Sequence, residues 1–352
     1  MRIAADRLKQ LVAQMFGRAG CATDEADRVA HYLVEANLAG HDSHGVIRVA
    51  TYIGWLRNGK VLPNQQAQIV LETDVLAVVD GRFGLGQSIG EQAVRLGIQK
   101  ATRQGVAVIA LRDSGHLGRI GDWPIMAARE NLLSLHFVNT SGAGMLVAPF
   151  GGISRRLSAC PVAAGVPIPG GSPMIVDISM CTIAEGKIKV AFNKGVQLPE
   201  GCMIDAQGNP TTDPRIFYGD PPGSILSIGA HKGYALGMIT EILAGALTGG
   251  SCTNPARADR LTNGMLSIYL DCRKFGPEEA FHQEVRRFID FVKSSEKLDP
   301  SGQILVPGEI EEQTRARRLA NGIELDETTW GQILSACGEL SISPSDIPPT
   351  QK

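Results

Sequence analysis

The sequence predicts an α/β protein with a helical N-terminal region, and three observations carry that prediction. Over the first 60 residues apolar side chains recur at helical spacing. From about residue 69 the pattern changes to short apolar runs. Helical segments then separate those runs through the middle of the chain.

Taken in order, Leu8, Leu11, Val12 and Met15 share one face of a first helix. This spacing differs from the continuous apolar core of a signal peptide, so no export is expected. Thr23 is expected to cap a second helix, with Asp24 and Glu25 in its first turn, Leu33 and Ala36 on its buried face and Gly40 as its stop. A third helix is expected from near Ser43. Apolar runs at 75–79, 106–110 and 133–138 suit buried strands, with helices at 89–100 and 120–130 between them. Pro and Gly punctuate 149–173, and two further strands, 174–178 and 224–228, flank a polar loop, an arrangement open to a mixed sheet. The stretch 234–247 is interrupted by Glu241 and falls short of the roughly 20 residues of a membrane span, so it reads as a buried helix. A strand at 266–270, a helix at 277–292 and a helix-poor tail complete the chain.

At 352 residues the chain suits two packed domains. Charged residues make up 20% of it, the net charge is -2, and Lys and Arg are dispersed, so no nucleic-acid partner is expected. Seven cysteines without a C-x-x-C pair fit a reducing cytoplasm.

On a helix, His44, Arg48 and Tyr52 would be successive i,i+4 neighbours, with Ser43 beside them. An imidazole can move a proton near neutral pH, a guanidinium can clamp a carboxylate, and a phenol can donate to a substrate oxygen. Those groups suit a 2-hydroxy acid; the competing reading is a solvated helix face. His116, in Ser114-Gly115-His116-Leu117-Gly118-Arg119, follows a strand end, where ligand crevices form in α/β folds, although a loop histidine is more often simply exposed. His231-Lys232-Gly233-Tyr234 follows a strand and opens a helix, a position that favours phosphate. Two patterns are set aside. Gly84-Leu85-Gly86-Gln87-Ser88-Ile89-Gly90 has G-x-G-x-x-x-G spacing and no acidic residue at the expected distance, a weak nucleotide fingerprint. His41 and His44 form H-x-x-H without a nearby carboxylate or cysteine partner of metal-site type, so no metal is assigned.

With these residues in view, the chain resembles the malate/L-lactate dehydrogenase family, which is distinct from the Rossmann dehydrogenases. The likeness runs nearly end to end, through Asn37-Leu38-Ala39-Gly40-His41-Asp42-Ser43-His44-Gly45, His116-Leu117-Gly118-Arg119-Ile120-Gly121, Gly186-Lys187, Lys194-Gly195, Thr211-Thr212-Asp213-Pro214, His231-Lys232-Gly233-Tyr234-Ala235-Leu236 and Leu305-Val306-Pro307-Gly308-Glu309. The resemblance implies a mixed sheet flanked by helices, a non-Rossmann dinucleotide fold. It implies NAD- or NADP-dependent interconversion of 2-hydroxy and 2-oxo acids by a homodimer whose active sites lie near the subunit interface. It also implies a catalytic role for His116 or His44, and Ser43, Arg48 and Tyr52 around the substrate. Cofactor contacts would fall on His44, on Gly118, Arg119 and Ile120, on Val176, Asp177, Ile178 and Ser179, on His231 and Lys232, and on Gly308 and Glu309.

The expected organisation is then a helical region 1–72 that carries the substrate segment and packs with the C-terminal part, a cofactor-binding core 73–254, and a C-terminal region 255–352. Malate, lactate and aryl 2-oxo acids such as hydroxyphenylpyruvate are the candidate substrates. A cyclic imino acid reductase and a non-catalytic nucleotide-binding homologue are the alternatives. Two segments depart from the family pattern: Ser158-Ala159-Cys160-Pro161 stands where relatives often carry Gly-Thr-Asn-Pro, and Asp122-Trp123 replaces an aromatic pair.

Overall fold

A computed structural model describes residues 1–349. The chain opens with strand β1 (Arg2–Ile3) and helices α1 (Ala5–Arg18), α2 (Thr23–Leu38) and α3 (Val49–Arg57). The α/β part follows as β2 (Gln68–Glu72), β3 (Leu76–Asp80), α4 (Gly86–Gln104), β4 (Val106–Ser114), α5 (Asp122–Arg129), β5 (Leu133–Gly142), β6 (Val162–Val166) and β7 (Met174–Ile178). A smaller lobe holds α6 (Glu185–Lys194), β8 (Met203–Ile204), β9 (Pro210–Thr211), α7 (Pro214–Phe217) and β10 (Ser224–Ile225). The chain ends with α8 (His231–Glu241), β11 (Leu261–Leu270), α9 (Glu278–Lys293), α10 (Glu309–Asn321), β12 (Ile323–Glu324) and α11 (Glu327–Glu339).

The main sheet has seven strands in the order β2-β3-β4-β11-β5-β6-β7. Only β3 and β4 pair in parallel, so the sheet is mixed as expected. Alternation decides which side chains enter the core. Ala77 and Val79 of β3 and Ala107, Ile109 and Leu111 of β4 meet Ile89, Ala93 and Val94 of α4. A second core joins α1, α2 and α3 to Trp330, Ile333 and Ala336 of α11, so the two ends of the chain are packed together.

Several local expectations are corrected. Thr23 is the first helical residue rather than the cap, and the cap position is Ala22. The segment after Gly40 is not one helix: residues Asp42–His44 and Val46–Arg48 form two separate 3₁₀ turns before α3. The cause is Asn37, whose amide is hydrogen-bonded to Asp42 (2.6 Å) and to the Val46 N–H (2.8 Å), holding the chain in a bend around Gly45. The expected strand 224–228 is only the short β10, in a separate three-stranded sheet with β8 and β9.

The stretch 234–247 is helical but buried on one face only. Residues 231–241 are α8, a π-helical turn continues to Ala246, and Ile239 and Leu247 are 51% and 62% exposed. The tail is not helix-poor, because α10 and α11 occupy it. The sequence of α10, EIEEQTRARRLAN, buries no residue. It is held by Arg315–Glu35, by His41–Glu311 and by the Arg318–Asp42 pair instead.

The departing segment Ser158-Ala159-Cys160 has a structural task. The buried carboxylate of Glu241 accepts hydrogen bonds from the Ser158 hydroxyl (2.9 Å), the Cys160 thiol (3.4 Å), the Asn139 amide (3.0 Å) and the Thr253 N–H (2.9 Å). Glu241→Ala would strand several of these donors away from water. It is expected to lower unfolding stability by about 3 kcal/mol, read from the denaturation midpoint.

Candidate active site

Three elements converge where the 3₁₀ turns meet the loop after β4. The turns carry Ser43, His44 and Arg48, α3 carries Tyr52, and the loop carries His116. The Tyr52 hydroxyl lies 2.5 Å from His116 Nδ1. The imidazoles of His44 and His116 stack, with centroids 5.7 Å apart and planes 8° from parallel. The bent path through Gly45 therefore brings together the residues that a straight helix would have set on one stripe, with His116 added.

Arg48 is pinned by one nitrogen. Its Nε donates to the Ser43 carbonyl at 2.7 Å, and an Nη lies 3.8 Å from the Glu185 carboxylate. The rest of the guanidinium fork is available to an anion. The Ser43 hydroxyl is 3.1 Å from His44 Nδ1.

The glycine-rich turn set aside as a nucleotide fingerprint shapes the same loop. Gly84 accepts from the Gly115 N–H at 2.9 Å, and a Cβ at Gly86 would stand 2.0 Å from the His116 carbonyl oxygen. Only a residue without a side chain lets the loop lie this close. From the same turn the buried Gln87 amide donates to the Tyr52 oxygen at 3.4 Å. In this polarity the phenol donates to His116 Nδ1, and the ring hydrogen resides on Nε2.

Burial dominates the electrostatics. It holds His116 down to about 3, aided by the positive charge of Arg48. It likewise holds His44 well below the ordinary histidine range, with His116 and Arg48 contributing. The Tyr52 phenol is pushed up to about 12 by burial, against the opposing effects of Arg48 and Gln87. Both rings are therefore neutral near pH 7.

The segments expected to touch a cofactor lie along β7, from its start to just past its end. Asp177 accepts the Gly121 N–H at 2.8 Å, tying β7 to the Gly118-Arg119-Ile120 loop. The Ile175 N–H donates to Pro307 at 3.1 Å, which sets Gly308 beside Pro173 and Ile175 at the start of β7. The Ile228 N–H donates to Met180 at 3.0 Å, which brings the start of α8, with His231 and Lys232, next to Ile178 and Ser179. A dinucleotide fits this set. The amino end of α8 has no acidic residue in its first turn, and His231 and Lys232 there are exposed, a setting that suits a diphosphate. Beside Gly308 a cavity of ≈ 760 Å³ opens between α9 and α10, and none of its lining residues belongs to the His44–His116 group.

The second departing segment also lies here. Asp122 is paired with Arg119 at 3.1 Å, both buried. Burial pushes the Asp122 carboxyl up to about 7 in spite of Arg119, and Asp177 adds to the effect. Gln87 and Glu185, and Trp55 stacked on Tyr52, are in contact with this group, and the sequence did not single them out. Gln87 was legible only as a polar residue within the apolar start of α4. Glu185 precedes Gly186-Lys187 and is brought to Arg48 by the fold.

Comparison with known proteins shows the family and the fold. The family model described as malate/L-lactate dehydrogenase matches residues 3–334. Hydroxycarboxylate dehydrogenase B of Escherichia coli (strain K12) is 37% identical over 97% of this chain and 95% of its own length. The L-sulfolactate dehydrogenase of Methanocaldococcus jannaschii is 34% identical over 98% and 99%. A solved structure described as a malate/lactate dehydrogenase from E. coli superposes with a TM-score of 0.94 at 36% identity, covering 99% of this chain and 97% of that one. The chain belongs to the malate/L-lactate dehydrogenase family, oxidoreductases that act on the CH–OH group of hydroxy acids with a nicotinamide cofactor.

Proposed function

We propose that the protein interconverts a 2-oxo acid and its 2-hydroxy acid, with His116 as the proton-transfer group and Arg48 as the carboxylate anchor. The observation that carries this reading is the Tyr52–His116 hydrogen bond, placed beside a guanidinium with free donors and next to the stacked ring of His44. When bound, the nicotinamide supplies a hydride to the carbonyl carbon or takes one from the carbinol carbon.

In reduction, His116 Nε2 gives its hydrogen to the oxygen that gains negative charge, while Nδ1 takes up the Tyr52 phenolic proton. The proton returns to Tyr52 from solvent. Oxidation runs the chain in reverse, with Nε2 bare and accepting the hydroxyl proton. Arg48 holds the substrate carboxylate through its Nη atoms, and Ser43 and Tyr52 line the substrate. His44, stacked on His116, orients the nicotinamide. The Gly118–Ile120 loop, Val176–Ser179, His231–Lys232 and Gly308–Glu309 hold the remainder of NAD or NADP.

The working unit is proposed to be a homodimer. The exposed apolar side chains of α8 and its π turn, among them Leu236, Met238, Ile239 and Ile242, support this, because an apolar face of that extent suits a subunit contact. No helix among the described residues is long and apolar enough to cross a membrane, and the cysteine pattern supports a cytoplasmic site.

The test is turnover by the purified protein. Pyruvate, 2-oxobutyrate, phenylpyruvate, hydroxyphenylpyruvate, oxaloacetate and a cyclic imino acid are each offered with NADH and with NADPH, and the loss of reduced-nicotinamide absorbance is followed. Turnover of at least one 2-oxo acid is expected. Turnover of the imino acid alone, or cofactor binding with no turnover of any, would overturn the reading. Sedimentation velocity on the same sample is expected to show twice the chain mass.

A further inference from the structure

Glu185 stands at the junction of the smaller lobe with the substrate segment. Its carboxylate lies 3.8 Å from an Arg48 Nη, and it accepts a 2.9 Å hydrogen bond from the Tyr218 hydroxyl. The next residue touches Ser43, since a Cβ at Gly186 would stand 2.5 Å from the Ser43 Cβ. The Glu185 side chain is 30% exposed, so it borders the cleft rather than the core.

The charges around this point can be counted. His44 and His116 are neutral near pH 7. Arg119 is committed to Asp122. Asp177 is committed to a backbone N–H and adds no positive charge. Arg48 is then the cation facing the two histidines, and Glu185 already offsets part of it. One substrate carboxylate can be balanced by Arg48, whereas a second negative group on that side would meet the Glu185 carboxylate; Arg155, the other cation that Glu185 feels, is engaged by the Gly223 and Phe217 carbonyls.

We propose that Glu185 is a specificity-determining residue that selects monocarboxylic 2-oxo and 2-hydroxy acids with uncharged side chains and disfavours dianionic ones. This rests on the reading of Arg48 as carboxylate anchor.

The test compares kcat/KM for oxaloacetate with kcat/KM for 2-oxobutyrate in the wild type, Glu185→Gln and Glu185→Lys. Removing one like charge that borders the half-solvated cleft is expected to raise the oxaloacetate to 2-oxobutyrate ratio about tenfold in Glu185→Gln. The ratio should rise further in Glu185→Lys. Thermal midpoints verify that both variants are folded, and the two substitutions read the same quantity independently. Ratios within about twofold of wild type in both variants would overturn the role of Glu185 while leaving the proposed function standing. A wild type that turns over no 2-oxo acid, or an Arg48→Ala variant with unchanged KM for both acids, would overturn the underlying reading and this inference with it.

Discussion

His116→Ala is expected to lower kcat for 2-oxo acid reduction by roughly a hundred- to ten-thousand-fold, the range typical of losing a positioned general acid. The KM for the oxo acid should change far less, because the carboxylate remains on Arg48. The ring is placed by the Gly84–Gly86 turn beneath its backbone and oriented by Tyr52, which Gln87 orients in turn. Tyr52→Phe keeps the ring and removes only its partner, so a smaller loss, about tenfold, is expected.

The same burial predicts a pH signature. With its pKa lowered to about 3, His116 is neutral at every pH above that value. Protonation therefore removes the working form only as pH falls toward 3. Between roughly pH 5 and 8 the kcat/KM for reduction is expected to stay level, since Tyr52 keeps its proton there as well, without the limb near 6.5 of an unperturbed histidine.

Arg48→Ala is expected to cost about 3 kcal/mol of transition-state binding, more than a hundredfold in kcat/KM, from the loss of charge-assisted bonds to the substrate carboxylate. Most of it should appear as a higher KM, since the carboxylate is held in both ground and transition states. Arg48→Lys restores charge but lacks the fork and the Nε bond to the Ser43 carbonyl, so only part of the loss should be recovered. The measurement is Michaelis kinetics with the oxo acid varied at saturating cofactor.

The elements most legible in the sequence are those whose burial follows one period. α4, β4, β5 and β7 were each readable from apolar spacing, because each buries one face or both against a neighbour. α10 was not, because its stabilisation comes from ion pairs to α2 and to the turn before α3 rather than from an apolar stripe. The place of β11 between β4 and β5 depends on pairing across more than a hundred residues, which local pattern cannot encode.

At the site, the residue types pointed to His44, Arg48, Tyr52 and His116, but the i,i+4 stripe was the wrong reason for their proximity. Asn37 bends the chain at Gly45, and the Tyr52–His116 contact joins residues 64 positions apart. Gln87 and Glu185 became visible only when the fold set them against Tyr52 and Arg48. The segment Ser158-Ala159-Cys160 read only as a departure from the family pattern, and the structure gives two of its side chains to the buried carboxylate of Glu241.

The central claim is that His116 moves the substrate proton while His44 serves the cofactor. It is tested most directly by the single-turnover rate of reduced-nicotinamide oxidation, with the cofactor pre-bound at saturation, in His116→Ala and His44→Ala side by side. The account predicts a chemical step at least about a hundredfold slower in His116→Ala, and in His44→Ala weaker cofactor binding with a smaller loss of rate. A His116→Ala variant that turns over at the wild-type rate, or a His44→Ala variant that is the slower of the two, would contradict it.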